Sequence, residues 1–93
     1  MIDCSHANSS KNPDIQPLVL NDVTHQILEG NKSIMGVMLE SFINSGNQSI
    51  PENLEDLKYG VSVTDACMDW TTTESAILQM SRKVKEMLRN RNV

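Results

Sequence analysis

The sequence predicts an α/β chain running strand, helix, strand, long loop, helix, and three stretches carry that expectation. Ser33–Ser41 (SIMGVMLES) is a short apolar run between turn-forming residues, with neither a helical stripe nor strict alternation. That is the pattern of a strand buried on both faces. Leu20, Val23 and Ile27 recur at helical spacing, with Val19 widening the stripe. A second stripe of Ala76, Ile77, Met80, Val84 and Leu88 follows Thr71–Glu74, which fits a capping box. Two strands separated by one helix form a parallel βαβ unit with a right-handed crossover.

Taken in order, Met1–Cys4 opens as a short apolar strand and Ser5–Pro13 (SHANSSKNP) is a polar loop of turn formers. Pro17 suits the first turn of a helix, and Gly30 is placed just past its end. The second strand covers Ile34 to Leu39. Ser41–Ser62 is longer than most connections. Ile43, Ile50, Leu54, Leu57 and Tyr59 give that loop apolar groups to bury, which argues against disorder. Val61–Met68 is a further half-apolar segment. In the last helix Lys83, Lys85, Arg89 and Arg91 gather near the carboxyl end, where the helix dipole favours cations. A two-stranded parallel sheet cannot cover both its faces, so the unit reads as part of something larger.

Composition narrows the function classes. With 93 residues the chain makes at most one small domain, and with three aromatics its packing rests on Leu, Ile, Val and six Met. Met35, Met38, Met80 and Met87 sit in apolar patterns and read as packing. A net charge of -4 argues against nucleic acid and anionic membrane surfaces. No apolar run approaches the roughly 20 residues of a membrane helix, and Met1 leads into Asp3, Cys4 and His6 with no signal-peptide pattern. Two cysteines are too few for a disulfide scaffold, and the chain reads as cytoplasmic with free thiols.

Three residues carry candidate chemistry. His6 follows the first strand, Glu40 ends the second and Asp65 lies beyond the long loop, all expected at the carboxyl-terminal edge of a parallel sheet. One imidazole and two carboxylates suit a divalent metal such as Mn, Fe, Co or Zn. Each residue also has a plainer reading: His6 as an ordinary hydrogen-bonding residue, Glu40 as a solvated strand-end charge, Asp65 as a turn or capping residue. Cys67 is two residues from Asp65 and reads either as a metal neighbour or as a small core residue; Cys4 reads as core. His25 is expected at the surface. Lys11 is either a phosphate contact or a solvated loop lysine.

With these residues in place, IDCSHANSSK, GNKSIMGVMLES, GNQS and LKYGVSVTDAC followed by Trp70 resemble the carboxyl-terminal part of class I 3-deoxy-D-arabino-heptulosonate 7-phosphate (DAHP) synthases. The likeness covers nearly the whole chain and is weakest over Ile50–Asp56 and after Ala76. Asp69 departs from the small residue usual before the tryptophan. The resemblance implies strand 7, helix 7, strand 8, the long loop and helix 8 of a (β/α)8 TIM barrel, so that residues 1–93 are an incomplete piece of one domain. It implies condensation of phosphoenolpyruvate with erythrose 4-phosphate, releasing phosphate, as the first step toward chorismate and the aromatic amino acids. It also implies a divalent metal held by His6, Glu40, Asp65 and a cysteine on an earlier strand, with neither Cys4 nor Cys67 in that role. The metal would polarise the aldehyde.

Substrate-phosphate residues, including a Lys-Pro-Arg-Thr segment, are implied to lie upstream, and the parent enzyme is implied to be a homo-oligomer. Two readings follow: a quarter of a working synthase, or a non-catalytic remnant or interaction fragment. Either way the 93 residues are expected to be inactive alone and, with uncovered edges and apolar faces, to fold poorly or aggregate.

Overall fold

The structure, a computed structural model, describes residues 1–90; the expected cation Arg91 lies outside them. The elements are β1 (Ile2–Asp3), α1 (Gln16–Leu28), β2 (Val37–Met38) and α2 (Trp70–Arg89), with single 3-10 turns at His6–Ser9, Pro13–Ile15 and Leu54–Asp56. The expected order holds.

β1 and β2 pair in parallel, Ile2 opposite Val37 and Asp3 opposite Met38. Main-chain bonds from Ile2 N–H to the Gly36 carbonyl and from Cys4 N–H to the Met38 carbonyl, both 2.9 Å, close the ladder. Both strands are shorter than their apolar runs, because among the described residues each has only one strand neighbour. For the same reason Val37, Met38 and Leu39 are half-buried rather than covered on both faces, and Met35 is exposed.

α1 forms where expected. Leu20, Val23 and Ile27 are buried, and Ile27, Val23, Ile34 and Val84 make the core, with Ile2, Val37 and Met80 packed against it. The helix ends in two bonds, Gly30 N–H to the Ile27 carbonyl and Asn31 N–H to the Gln26 carbonyl, each 3.0 Å. This is the Schellman closure, and its left-handed position is Gly30, φ 104°.

The start of α2 corrects the sequence reading. Its cap is Asp69, whose Oδ1 accepts the Thr72 N–H at 2.8 Å, and not the Thr71–Glu74 box. A carboxylate one residue before the helix captures the third free N–H, which places Thr71 inside the first turn. The α2 stripe is also narrower than expected. Val84 is buried and Ala76 and Met80 are half-buried, but Ile77, Met87 and Leu88 are exposed. Among the described residues, the apolar side chains of α2 that are covered lie on the side facing α1 and Ile34.

The long loop is ordered, but not by the burial expected of it. Ile43, Ile50, Leu54, Leu57 and Tyr59 are all exposed. Side-chain amides do the holding instead. Gln48 donates to the carbonyls of Lys58 and Val61 at 2.8 and 3.0 Å and accepts from Lys58 N–H at 3.0 Å. Asn44 donates to the Tyr59 carbonyl at 2.9 Å.

Candidate metal centre

His6 stands one turn past β1 in the left-handed region, φ 49°, as do Ser10 and Lys11. This costs a non-glycine residue of order 1 kcal/mol, so the turn must be held from outside. Asp3 supplies the hold. Its Oδ1 accepts from Ser5 N–H at 2.8 Å and from the Ser5 hydroxyl at 2.5 Å, and its Oδ2 lies 2.8 Å from His6 Nδ1. With Nδ1–H donated to that carboxylate, Nε2 is left to face the sheet edge. There it meets Asp65 Oδ2 at 3.3 Å and Glu40 Oε1 at 3.7 Å.

Glu40 follows β2, and its main chain is tied to two other segments. Its carbonyl accepts from Met68 N–H at 3.0 Å, and Gln16 of α1 reaches its peptide groups as well. Asp65 sits on a bend held against the long loop. Asn47 donates to the Thr64 carbonyl at 3.0 Å, the Ser62 hydroxyl accepts from Thr64 N–H at 3.1 Å, and Gly46 bridges to Cys67. The sequence-predicted three therefore converge. One donor atom from each of His6, Glu40 and Asp65 lies within 4.8 Å of the others. Together with Lys11, Gln16 and Asn47 they line a cavity of about 170 Å³.

The electrostatics follow from the contacts. Hydrogen bonds from Ser5, then from His6, bring the Asp3 carboxyl down to about 2. The Asp3 hydrogen bond, then the Glu40 charge, raise the His6 imidazole above its ordinary value. The pocket thus attracts a positive charge, proton or metal. Donors bound to one ion at about 2.0–2.2 Å are spaced about 3–4 Å apart, so the two His6 separations fit a shared cation with little movement.

Cys67 is not part of this group. It is buried, its thiol donates to the Asp65 carbonyl at 3.5 Å, and burial pushes its pKa up. Cys4 is fully buried, with its pKa likewise raised by burial, and both behave as core thiols. His25 is exposed, as expected. Lys11 is exposed at the cavity wall. Sequence reasoning missed Asp3 and Gln16. For Asp3 a signal was present, a carboxylate three residues before the histidine; for Gln16 there was none, because its partner is 24 residues away.

A groove of about 330 Å³ between α1 and α2 holds one ionisable lining group, Lys83, which donates to Asn21 at 2.9 Å. No helix among the described residues is long and apolar enough to cross a membrane.

A Tyr-sensitive phospho-2-dehydro-3-deoxyheptonate aldolase of Enterobacter agglomerans is 50% identical over 88 residues, which is 95% of this chain and 41% of that protein. A putative phospho-2-dehydro-3-deoxyheptonate aldolase of Schizosaccharomyces pombe is 51% identical over 91% of this chain and 23% of its own length. The solved phospho-2-dehydro-3-deoxyheptonate aldolase of Francisella tularensis superposes with a TM-score of 0.80 at 39% identity, covering 90% of this chain and 24% of that one. The chain thus spans less than half the length of each. The sequence profile of the DAHP synthetase I family matches residues 1–78, and the chain belongs to that family.

Proposed function

We propose that this chain is the carboxyl-terminal portion of a DAHP synthase barrel. In that reading β1 is strand 7, α1 helix 7, β2 strand 8 and α2 helix 8, and residues 1–93 are one piece of a single domain. The activity of the whole is the metal-dependent condensation of phosphoenolpyruvate with erythrose 4-phosphate to DAHP and phosphate, a cytoplasmic step leading to chorismate, carried out by a homo-oligomer. The observation that carries this is the convergence of His6, Glu40 and Asp65 within 4.8 Å in a member of the family.

The division of labour follows from the contacts. His6 offers Nε2 because Asp3 holds Nδ1. Glu40 and Asp65 supply oxygen donors and offset the charge of a divalent ion such as Mn, Fe, Co or Zn. When bound, such an ion supplies Lewis acidity toward a carbonyl oxygen. A fourth, cysteine ligand and the phosphate-binding lysines and arginines belong, in this proposal, to the part of the barrel outside these 93 residues. The chain alone therefore binds metal but does not turn over. The coverage of only 23–41% of the two curated relatives favours that restriction.

The test is a titration of the chain with Mn2+, read by electron paramagnetic resonance, alongside an assay for DAHP with both substrates. Stoichiometric binding that disappears in His6→Ala, with no product, is the expected result. Absence of binding by the unaltered chain overturns the metal site. Product formation overturns the restriction.

A further inference from the structure

Gln16 is the first residue of α1 and is 1% exposed, an unusual place for an unshared primary amide. Its side chain makes two bonds, both to the main chain of one residue. Glu40 N–H donates to Oε1 at 2.9 Å, and Nε2 donates to the Glu40 carbonyl at 3.1 Å. One acceptor and one donor on a planar group reproduce what a neighbouring strand's peptides would offer. β2 stops at Met38, two residues short of Glu40, so strand pairing with β1 does not reach this position. The same Glu40 carbonyl takes a second bond from Met68 N–H at 3.0 Å. Gln16 therefore closes a three-way tie between the start of α1, the end of β2 and the segment that follows Asp65.

We propose that Gln16 is a positioning residue of the metal centre. By clamping the Glu40 peptide groups it sets the direction in which the Glu40 carboxylate leaves the chain, toward His6 Nε2 at 3.7 Å. A carboxylate on an unclamped backbone would sample other directions, and a site misplaced by about 1 Å loses much of its affinity. This inference rests on the metal-binding reading of His6, Glu40 and Asp65. It adds that an amide with no contact to the ion controls the ion's affinity.

The test uses the 93-residue chain with Mn2+ alone as the probe, and far-UV circular dichroism as the measure of folding. Gln16→Leu removes both bonds at similar volume, and Gln16→Asn keeps an amide too short to reach. Each is expected to weaken Mn2+ binding by about 10–100-fold, the usual effect of losing a group that orients a ligand. Each should also shift the visible spectrum of bound Co2+ while keeping helix content. Thr24→Val is the control. It deletes a buried bond in the same helix, Thr24 hydroxyl to the Leu20 carbonyl at 2.8 Å, away from the cavity, and should leave Mn2+ affinity unchanged.

Unaltered Mn2+ affinity in Gln16→Leu overturns the proposal. So does an equal loss in Thr24→Val, which would make the effect one of general stability. If Gln16→Leu loses its helical signal, Gln16→Asn decides by the same criteria; loss of helix in both overturns the proposal, because Gln16 then serves the fold. No Mn2+ binding by the unaltered chain is a different failure, that of the metal site itself, and this inference falls with it.

Discussion

The imidazole of His6 has two nitrogens with different duties, and Asp3 separates them. The Asp3 carboxylate takes Nδ1 at 2.8 Å while Ser5 holds its other oxygen, so Nε2 points to Glu40 and Asp65. Removing the carboxylate leaves Nδ1 only the Ser5 hydroxyl, at 2.9 Å, which can donate or accept and so fixes neither tautomer. Asp3→Ala is expected to weaken Mn2+ binding by about 10–100-fold, and Asp3→Asn, which keeps an acceptor oxygen, by less. Equal affinity in all three proteins, measured by Mn2+ titration, would show that Asp3 has no orienting role. His6 and Glu40 were legible from sequence because each follows a run that forms a strand, and strands of one parallel sheet end on one edge. Asp65, on a bend beyond the long loop, was legible only as a further carboxylate expected at that edge. Asp3 and Gln16 were not read, since their work lies in hydrogen bonds whose existence depends on the tertiary arrangement.

At the scale of elements, α2 depends on its first turn. Asp69 caps it through Thr72 N–H at 2.8 Å and through its own carbonyl, which accepts from the Thr73 N–H at 3.1 Å and the Thr73 hydroxyl at 2.8 Å. The bond from Thr72 holds the Asp69 carboxyl below its ordinary value of 3.8. A carboxyl depressed in the folded chain adds stability that is fully present above its unfolded pKa. That stability is lost as pH falls from about the unfolded value through the lower folded one. Helix content at 222 nm should therefore fall below pH 4 in the native chain, and the part of that fall due to the cap should be missing in Asp69→Asn. An identical acid titration in both would rule out the cap as its source.

Sequence suggested the Thr71–Glu74 box because its residue types match the pattern; Asp69 won because it stands at the helix start and offers a charged acceptor. Glycine marks the other ends. At Gly60, φ 71°, an added Cβ would lie 2.9 Å from Ile43 Cβ, whereas at Gly30 it would meet nothing within 4 Å. Gly60→Ala combines left-handed strain with a clash and should open the long loop to limited proteolysis. Gly30→Ala carries the strain alone, of order 1–2 kcal/mol, and should leave that loop resistant. Equal protease sensitivity in the two variants would remove the clash from the explanation.

The whole molecule exposes what a small domain ordinarily hides. Its radius of gyration is 15.7 Å, against about 12 Å for a compact domain of this length. Its accessible surface is 6556 Å², against about 5,400 Å² for a folded monomer of this mass. The excess has an apolar part, since Leu18, Met35, Ile50, Leu54 and Tyr59 are each more than 60% exposed. Among the described residues the core cluster draws on α1, α2 and the approach to β2, while the large apolar side chains of the long loop and of the outer side of α2 stay exposed. These groups are too many and too large to be the scattered surface hydrophobics of an ordinary monomer. The βαβ order was readable from sequence, and so was the conclusion that two strands cannot shield one another. What could not be read was which apolar residues would be covered, because that depends on the tertiary arrangement and not on the local pattern. In dilute buffer the chain is expected to bind a hydrophobic dye such as ANS strongly and to self-associate as its concentration rises. Charged substitutions at Tyr59 and Leu54 should reduce both effects while leaving Mn2+ affinity unchanged, since neither residue lines the candidate metal cavity. Sedimentation velocity and dye fluorescence measure this directly: a monomer that leaves the dye dark across the concentration range would mean that the chain covers its apolar surface by itself.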